Sequence, residues 1–345
     1  MIWRKAVMTS ATLSLNRSAR GISGAVLSTL PLLIIGGLMY AAFFVKWEPQ
    51  IAMLQAPAIE RRDVFYGVAT PSPSVAWAVG YYGKIVRSDD GGKTWTIQPN
   101  KALAHLQAIS AWDDKRAVAV GNAGTVIVTS DGGASWHEVQ VPRSDVANKL
   151  LQVRAYPGGV AWAVGEVGAV LLTRDFGETW TRAMPEKDQA WNDVFFLGED
   201  GWMVGEFGQM LRTRDGGASW APMASPVKSS LMSVQFRDAQ HGVAVGLSGV
   251  VLVTADGGAS WKQAPRVTVE HLNGVVWDGA RWLAVGDKGV RVEGTADGGS
   301  WKGGRISEQD LSWRTQIVKS GERFFLAGAN LAVIDDGRLS IYGRE

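Results

Sequence analysis

At 345 residues, with 46% hydrophobic and 20% charged content and a formal net charge of +2, the chain has the composition of a folded protein, which excludes intrinsic disorder. The absence of cysteine excludes disulfides, thiolate metal sites, a cysteine nucleophile and a lipobox. The excess is in glycine and tryptophan, 42 and 16 against only 6 Tyr, which predicts many tight turns and a recurring large apolar anchor.

Residues 1–21 form a basic N-terminus, with Arg4, Lys5, Arg17 and Arg20 and no acidic residue. Residues 22–45, ISGAVLSTLPLLIIGGLMYAAFFV, carry no charge, and as a helix a run of that length crosses a hydrocarbon core of about 30 Å. The spacing predicts a transmembrane anchor whose basic flank stays cytoplasmic, so that everything after Lys46 is exported. A cleavable signal peptide is the competing reading, with APA at 56–58 as its cleavage site. The apolar run is longer than a signal h-region of about 7–15 residues, and that site lies past Lys46 and Glu48. Residues 46–60 are expected to be a linker or a closing strand. Residues 1–46 hold five basic and no acidic groups, leaving 30 basic and 33 acidic in the remainder, so the exported part offers no electrostatic footprint for nucleic acid.

From residue 61 to the end the chain repeats itself. The boxes SDDGGKTW (88–95), TSDGGASW (129–136), TRDFGETW (173–180), TRDGGASW (213–220), TADGGASW (254–261) and TADGGSW (295–301) place Asp90, Asp131, Asp175, Asp215, Asp256 and Asp297 before Trp95, Trp136, Trp180, Trp220, Trp261 and Trp301. Those tryptophans are 41, 44, 40, 41 and 40 residues apart. A second motif keeps step: AVGYYG (78–83), AVGNAG (119–124), AVGEVG (163–168), MVGEFG (203–208), AVGLSG (244–249), AVGDKG (284–289) and the divergent LAGANL (326–331). Seven units with a period near forty predict an all-β, seven-bladed β-propeller over 61–345.

One unit predicts four short strands: LQAISAWD (106–113), RAVAVG (116–121), TVIVTS (125–130) and SWHEVQV (135–141). The Val-Gly-x-x-Gly turn lets the chain reverse between the second and third strands, and Gly-Gly in the box supplies positive φ for the turn between the third and fourth. The box aspartate accepts N–H groups of its own turn, the Ser or Thr two residues earlier assists, and the tryptophan packs onto the blade. None of this chemistry needs a substrate.

The box S/T-x-D-G-G-x-S/T-W is the Asp-box, or BNR repeat, known from sialidases and other propellers. The fuller unit, with A-V-G-x-x-G ahead of the box, resembles the photosystem II stability and assembly factor family and its non-photosynthetic bacterial relatives. That resemblance implies a non-catalytic propeller that binds membrane proteins and helps assemble them. For relatives with an N-terminal anchor it implies a place in the bacterial inner membrane, a periplasmic propeller, and an integral membrane partner such as an RND-superfamily transporter.

The sharp alternative is a sialidase-like glycoside hydrolase, and a glycan- or lipid-binding module is a third. Sialidases need three arginines on a carboxylate, a Tyr–Glu nucleophile pair and an R-I-P segment, and no R-I-P occurs here. His105, His137, His241 and His271 lack ligand spacing, so no metal is expected, and no cofactor motif is present; GGKT at 91–94 does not complete a phosphate loop. What remains is surface. The Val-Gly turns and the starts of the first strands share one face, expected to present Tyr66, Tyr81, Tyr82, Gln107, Asn122, Arg154, Glu166, Trp191, Asn192, Glu206 and Phe207. The later units add Met232, Leu247, Asn273, Asp287, Lys288, Trp313 and Arg314. Aromatics mixed with arginine are what binding hot spots favour. A second candidate patch is Arg87 and Arg212 before the box with Arg174 and Arg214 inside it, which resembles the arginine patch of the assembly-factor family.

Overall fold

The computed structural model describes residues 23–44 and 56–344. They belong to two compact units, 1–55 and 56–345. The basic N-terminus and most of the 46–60 segment lie outside the described residues.

In the first unit Ser23–Phe44 is a helix of 22 residues, with Pro31 inside it and exposed apolar side chains from Leu30 to Phe44. Its bounds fall one residue inside those of the uncharged run. Side chains are described only from Thr29 onward, and among the described residues no helix is long and apolar enough to cross a membrane.

The second unit is an all-β, propeller-like fold of antiparallel sheets. Its strands run in chain order through repeats at 65–97, 106–138, 150–182, 191–222, 231–263, 272–305 and 314–341, called here the first to the seventh. Among the described residues five sheets have four strands each, and a sixth has eight. In that sheet the first and last repeats are joined where Phe65 stands opposite Gly328. The seventh repeat makes its fourth strand from its own Arg338–Ile341. Residues 56–60 contribute no strand; Ile59 is buried against Phe65 and Val333.

Burial follows position in the sheet. The second strands, such as Ala76–Gly80, Ala117–Gly121 and Gly242–Gly246, are buried along their whole length, because a neighbouring sheet covers each face. The fourth strands are exposed two-residue edges in most repeats. The run at 135–141 yields only His137–Glu138, although Trp136 and Val139 on either side of it are buried. Side chains stitch each repeat to the next across the inner strands. Tyr82 N–H donates to His105 Nδ1 at 3.0 Å, Ala155 N–H to Ser110 Oγ at 2.9 Å, and Phe196 N–H to the Tyr156 hydroxyl at 2.9 Å. Asn192 Nδ2 donates to Leu231 O at 2.8 Å, Trp277 N–H to Gln235 Oε1 at 3.2 Å, and Asn273 Nδ2 to Arg314 O at 3.0 Å. Val68 N–H donates to Gln316 Oε1 at 2.9 Å, returning the series to the first repeat.

The boxes are closed hydrogen-bonded turns. In the fifth, Asp256 Oδ1 accepts from Ser260 N–H at 2.9 Å and the Thr254 hydroxyl at 2.7 Å, and Thr254 Oγ1 accepts the buried Gly258 N–H at 2.9 Å. The hydroxyl of Ser135 holds the Asp131 carboxyl down at about 2, and that of Ser260 does the same for Asp256. Burial pushes Asp175 upward, but bonds from Thr179 and Thr173 outweigh it and its carboxyl lies below the usual range.

Candidate functional site

The Val-Gly turns carry the face most available to a partner. Their first glycine is extended, not left-handed, and it is needed for space: a Cβ on Gly80 would stand 1.9 Å from Val64 O and one on Gly286 1.8 Å from His271 O. The left-handed pair is the last x and the second glycine, as in Tyr82 (φ 50) and Gly83 (φ 69). Holding Tyr82, Phe207 or Lys288 left-handed costs about 1–2 kcal/mol each, and this conformation puts their side chains at the tips of the turns. Tyr82 is 75% exposed and Phe207 67%.

On this face one aromatic surface crosses three repeats. Trp313 of the linker before the seventh repeat stacks on Tyr66 with centroids 5.9 Å apart, and Tyr66 meets Tyr81 at 5.5 Å. Tyr81 stacks on His105 at 4.6 Å, and Tyr82 meets the same imidazole edge-on at 4.8 Å. His105 Nδ1 accepts the Tyr82 N–H, which fixes the orientation of the ring against both tyrosines. Burial, and then a hydrogen bond with Tyr81, pushes the Tyr66 phenol well above its ordinary value, so it stays protonated.

The other expected contact residues divide by burial. Trp191 and Arg314 are buried, at 2% and 0% exposure, and leave the candidate surface. The reason is register: each opens an inner strand opposite a Val-Gly or Ala-Gly glycine, the place held by the buried Phe65, Leu106, Leu150, Leu231 and Leu272 in the other repeats. In the seventh repeat no residue of Gly328–Leu331 is left-handed, and the Arg314 guanidinium fills the turn. It donates to Asn330 O at 3.0 Å, Asn330 Oδ1 at 2.8 Å and Asp310 Oδ2 at 2.6 Å. Arg154 is also committed: it grips the fully buried Asp193 through Nε at 2.8 Å and Nη2 at 2.7 Å. Burial alone would lower the Arg154 pKa, but Asp193 raises it above the usual arginine value. Glu166 accepts Lys149 N–H at 3.2 Å and Glu206 accepts Ala190 N–H at 2.8 Å, so both carboxylates cap the starts of inner strands.

The arginine patch separates in the same way. Arg87 lies 4.5 Å over Trp77 and bonds Asp89 and Asp114 O, and Arg212 lies over Trp202 and bonds Asp200 at 2.8 Å. Both are struts with little exposure. Arg174 and Arg214 are exposed and have no ion-pair partner among the described residues. Sequence reasoning missed His105 as part of the aromatic surface, having weighed it only as a metal ligand; its place immediately before an inner strand was the available signal. It also missed Asp193, whose buried carboxylate shows in sequence only as an aspartate inside an apolar strand. Among the described residues no group of three or more His, Asp and Glu could hold a metal ion.

Two family models match parts of the chain. The model described as photosynthesis system II assembly factor YCF48 matches residues 219–321, and that described as Sortilin, neurotensin receptor 3, matches 83–194. No curated protein matches the chain. Among solved structures, YCF48 bound to D1 peptide superposes with a TM-score of 0.65 at 17% identity, covering 78% of this chain and 92% of that one. YCF48 from Cyanidioschyzon merolae gives 0.65 at 18%, covering 79% and 94%. The GH74 xyloglucanase from Xanthomonas campestris also gives 0.65, at 15% identity, over 80% of this chain but 52% of its own. With the boxes, the Val-Gly turns and these matches taken together, the chain is an Asp-box (BNR) propeller resembling the photosystem II assembly factor.

Proposed function

We propose that this protein is a non-catalytic docking or assembly factor for an integral membrane complex, with the propeller presented in the periplasm by an inner-membrane anchor at 22–45. The eight-stranded sheet is then two blades joined by one bridge, and the propeller has seven. The observation that carries the reading is the aromatic surface of Tyr66, Tyr81, Tyr82, His105 and Trp313, in which Tyr82 is held left-handed with its ring exposed. The YCF48 structure solved with a D1 peptide supports a polypeptide as the ligand. An RND-superfamily transporter is the client class the sequence resemblance favours. Tethering raises the effective concentration of the propeller for such a client. Crosslinking of the full-length protein in native membranes tests the reading: one large membrane protein is recovered with the wild type and lost with Tyr81→Ala/Tyr82→Ala. Recovery unchanged by that variant refutes it.

The xyloglucanase neighbour favours a second reading, a glycan-acting enzyme. It requires free carboxylates, whereas Glu166 and Glu206 each cap a backbone N–H. Turnover of sialosides or β-glucans abolished by Glu206→Gln would establish the enzyme in place of the docking factor.

A further inference from the structure

The junctions between repeats are not equivalent. At six of them the box of one repeat rests on the repeat before it with no room to spare. A Cβ on Gly133 would lie 2.2 Å from Gln98 Oε1, one on Gly217 2.4 Å from the Trp162 ring and one on Gly92 2.7 Å from the Phe325 ring. In the same manner Gly177 lies on Val128, Gly258 on Trp202 and Gly298 on Val253. Trp202 Nε1 donates to Gly257 O at 2.9 Å, so the seat is specific for the backbone of the turn.

The seventh repeat has no box. Its third and fourth strands are joined by the short turn at Asp336 and Gly337, and a Cβ on Gly337 would meet nothing within 4 Å. The seat on the sixth repeat is therefore empty of chain, and a groove of about 580 Å³ runs between these repeats. Its floor is apolar, from Leu283, Ile317, Phe324 and Ile334. The basic groups on its walls are already engaged: Arg281 bonds Asp278 and Glu293, Arg291 bonds Glu293, and the Lys319 amine donates to Asp278 O. Glu322, Asp335 and Asp336 at the lip are exposed and have no ion-pair partner among the described residues. Lys319 keeps its charge, so against Arg281, Arg291 and Lys319 the carboxylates of Asp278, Glu293, Glu322, Asp335 and Asp336 leave an excess of two negative charges at the mouth, over an apolar floor.

We propose that this groove binds a segment of a partner polypeptide that inserts an aromatic side chain flanked by lysine or arginine, taking in trans the seat that a box takes in cis at the other junctions. The volume suits two or three residues, in the range of ordinary ligand sites at roughly 300–1,000 Å³. The site is separate from the aromatic face and does not depend on it.

The test is titration of the full-length protein in detergent with a labelled nonapeptide centred on Lys-Trp-Lys, beside matched peptides centred on Glu-Trp-Glu and Lys-Ser-Lys. Saturable binding of the first is expected, with both controls weaker by about ten-fold or more. Two variants should abolish it: the charge reversal Glu322→Lys/Asp335→Lys/Asp336→Lys, and a graft of the 254–261 box in place of residues 335–337, which refills the seat from within. The graft should keep or raise the melting temperature, so lost binding is not lost folding. Tyr81→Ala/Tyr82→Ala should leave the peptide affinity unchanged, which separates this site from the docking face. Absence of saturable binding at about 1 mM peptide, equal binding of all three peptides, or binding indifferent to the graft overturns the proposal.

Discussion

Asp193→Ala is the most informative substitution in the frame. The carboxylate is fully buried and accepts from Arg154 twice, from the Ser233 hydroxyl at 3.0 Å and from Val234 N–H at 3.0 Å, so it ties the third, fourth and fifth repeats together. Removing one member of a buried ion pair costs about 3–5 kcal/mol. The Arg154 side chain keeps 25% of its exposure, so water offsets part of the loss, while the abandoned Val234 N–H adds about 1–3 kcal/mol. A net loss of about 3–5 kcal/mol is expected. At about 2.1 cal/mol/K per residue, a unit of this size changes its melting temperature by about 5–8 °C for that loss. The assay is thermal unfolding of the full-length protein in detergent, followed by near-ultraviolet circular dichroism. Arg154→Met/Asp193→Leu should recover most of the stability, because both charges leave together. A loss under about 1 kcal/mol for Asp193→Ala, or a double variant less stable than the single one, would refute the account of this carboxylate as the central clamp.

The glycine argument predicts that Gly286→Ala, whose Cβ would stand 1.8 Å from His271 O, destabilises by at least about 2 kcal/mol in the same melt. Gly304→Ala, with nothing within 4 Å, should change stability by less than about 0.5 kcal/mol. The box aspartates set an acid limit: the carboxyls of Asp131, Asp215 and Asp256 stand at about 2 when folded against about 3.9 unfolded, so their stabilisation is whole above the unfolded value and is lost as pH falls through about 2. Their contribution to the melting temperature should be constant from pH 7 to about 5 and fall below about 4, with a shallower fall in Asp131→Asn; wild-type and variant curves that diverge between pH 7 and 5 would contradict this. Tyr82→Ser should leave the melting temperature within about 1 °C of wild type, since the ring is 75% exposed, while weakening capture of the membrane client.

The repeat, and with it the antiparallel sheets, was legible because two glycine motifs recur in phase, and each does a local job that sequence displays. What was not legible was the phase of the inner strands. Tyr66, Asn192 and Asn273 were read beside Trp191 and Arg314 as one face, but the strand has a period of two. The residue opposite the turn glycine is buried, and the next one, left unpaired where the register shifts, is only half-buried. An arginine at an apolar position is hard to anticipate, because the turn it fills in the seventh repeat became identifiable only from its backbone. The charge pairs were equally hidden, since Arg154 and Asp193 lie in different repeats.

The division of labour between frame and surface follows from where the polar chemistry is used up. Box aspartates, inner-strand carboxylates and most arginines of the repeats end on partners within the chain, as Asp256, Asp193, Arg87 and Arg212 show. A group already bonded in a low-dielectric setting is a poor recruit for a partner, because binding would first have to break what holds it. The groups left over are of two kinds: large rings raised on left-handed turns, and three carboxylates beside the one junction without a box. Both occur where a repeat departs from the common pattern, Tyr-Tyr where no other turn carries two aromatic residues and a bare hairpin where other repeats carry a box. Since the shared turns, boxes and inter-repeat contacts suffice to build the frame, it is those departures that distinguish this propeller from others built on the same unit.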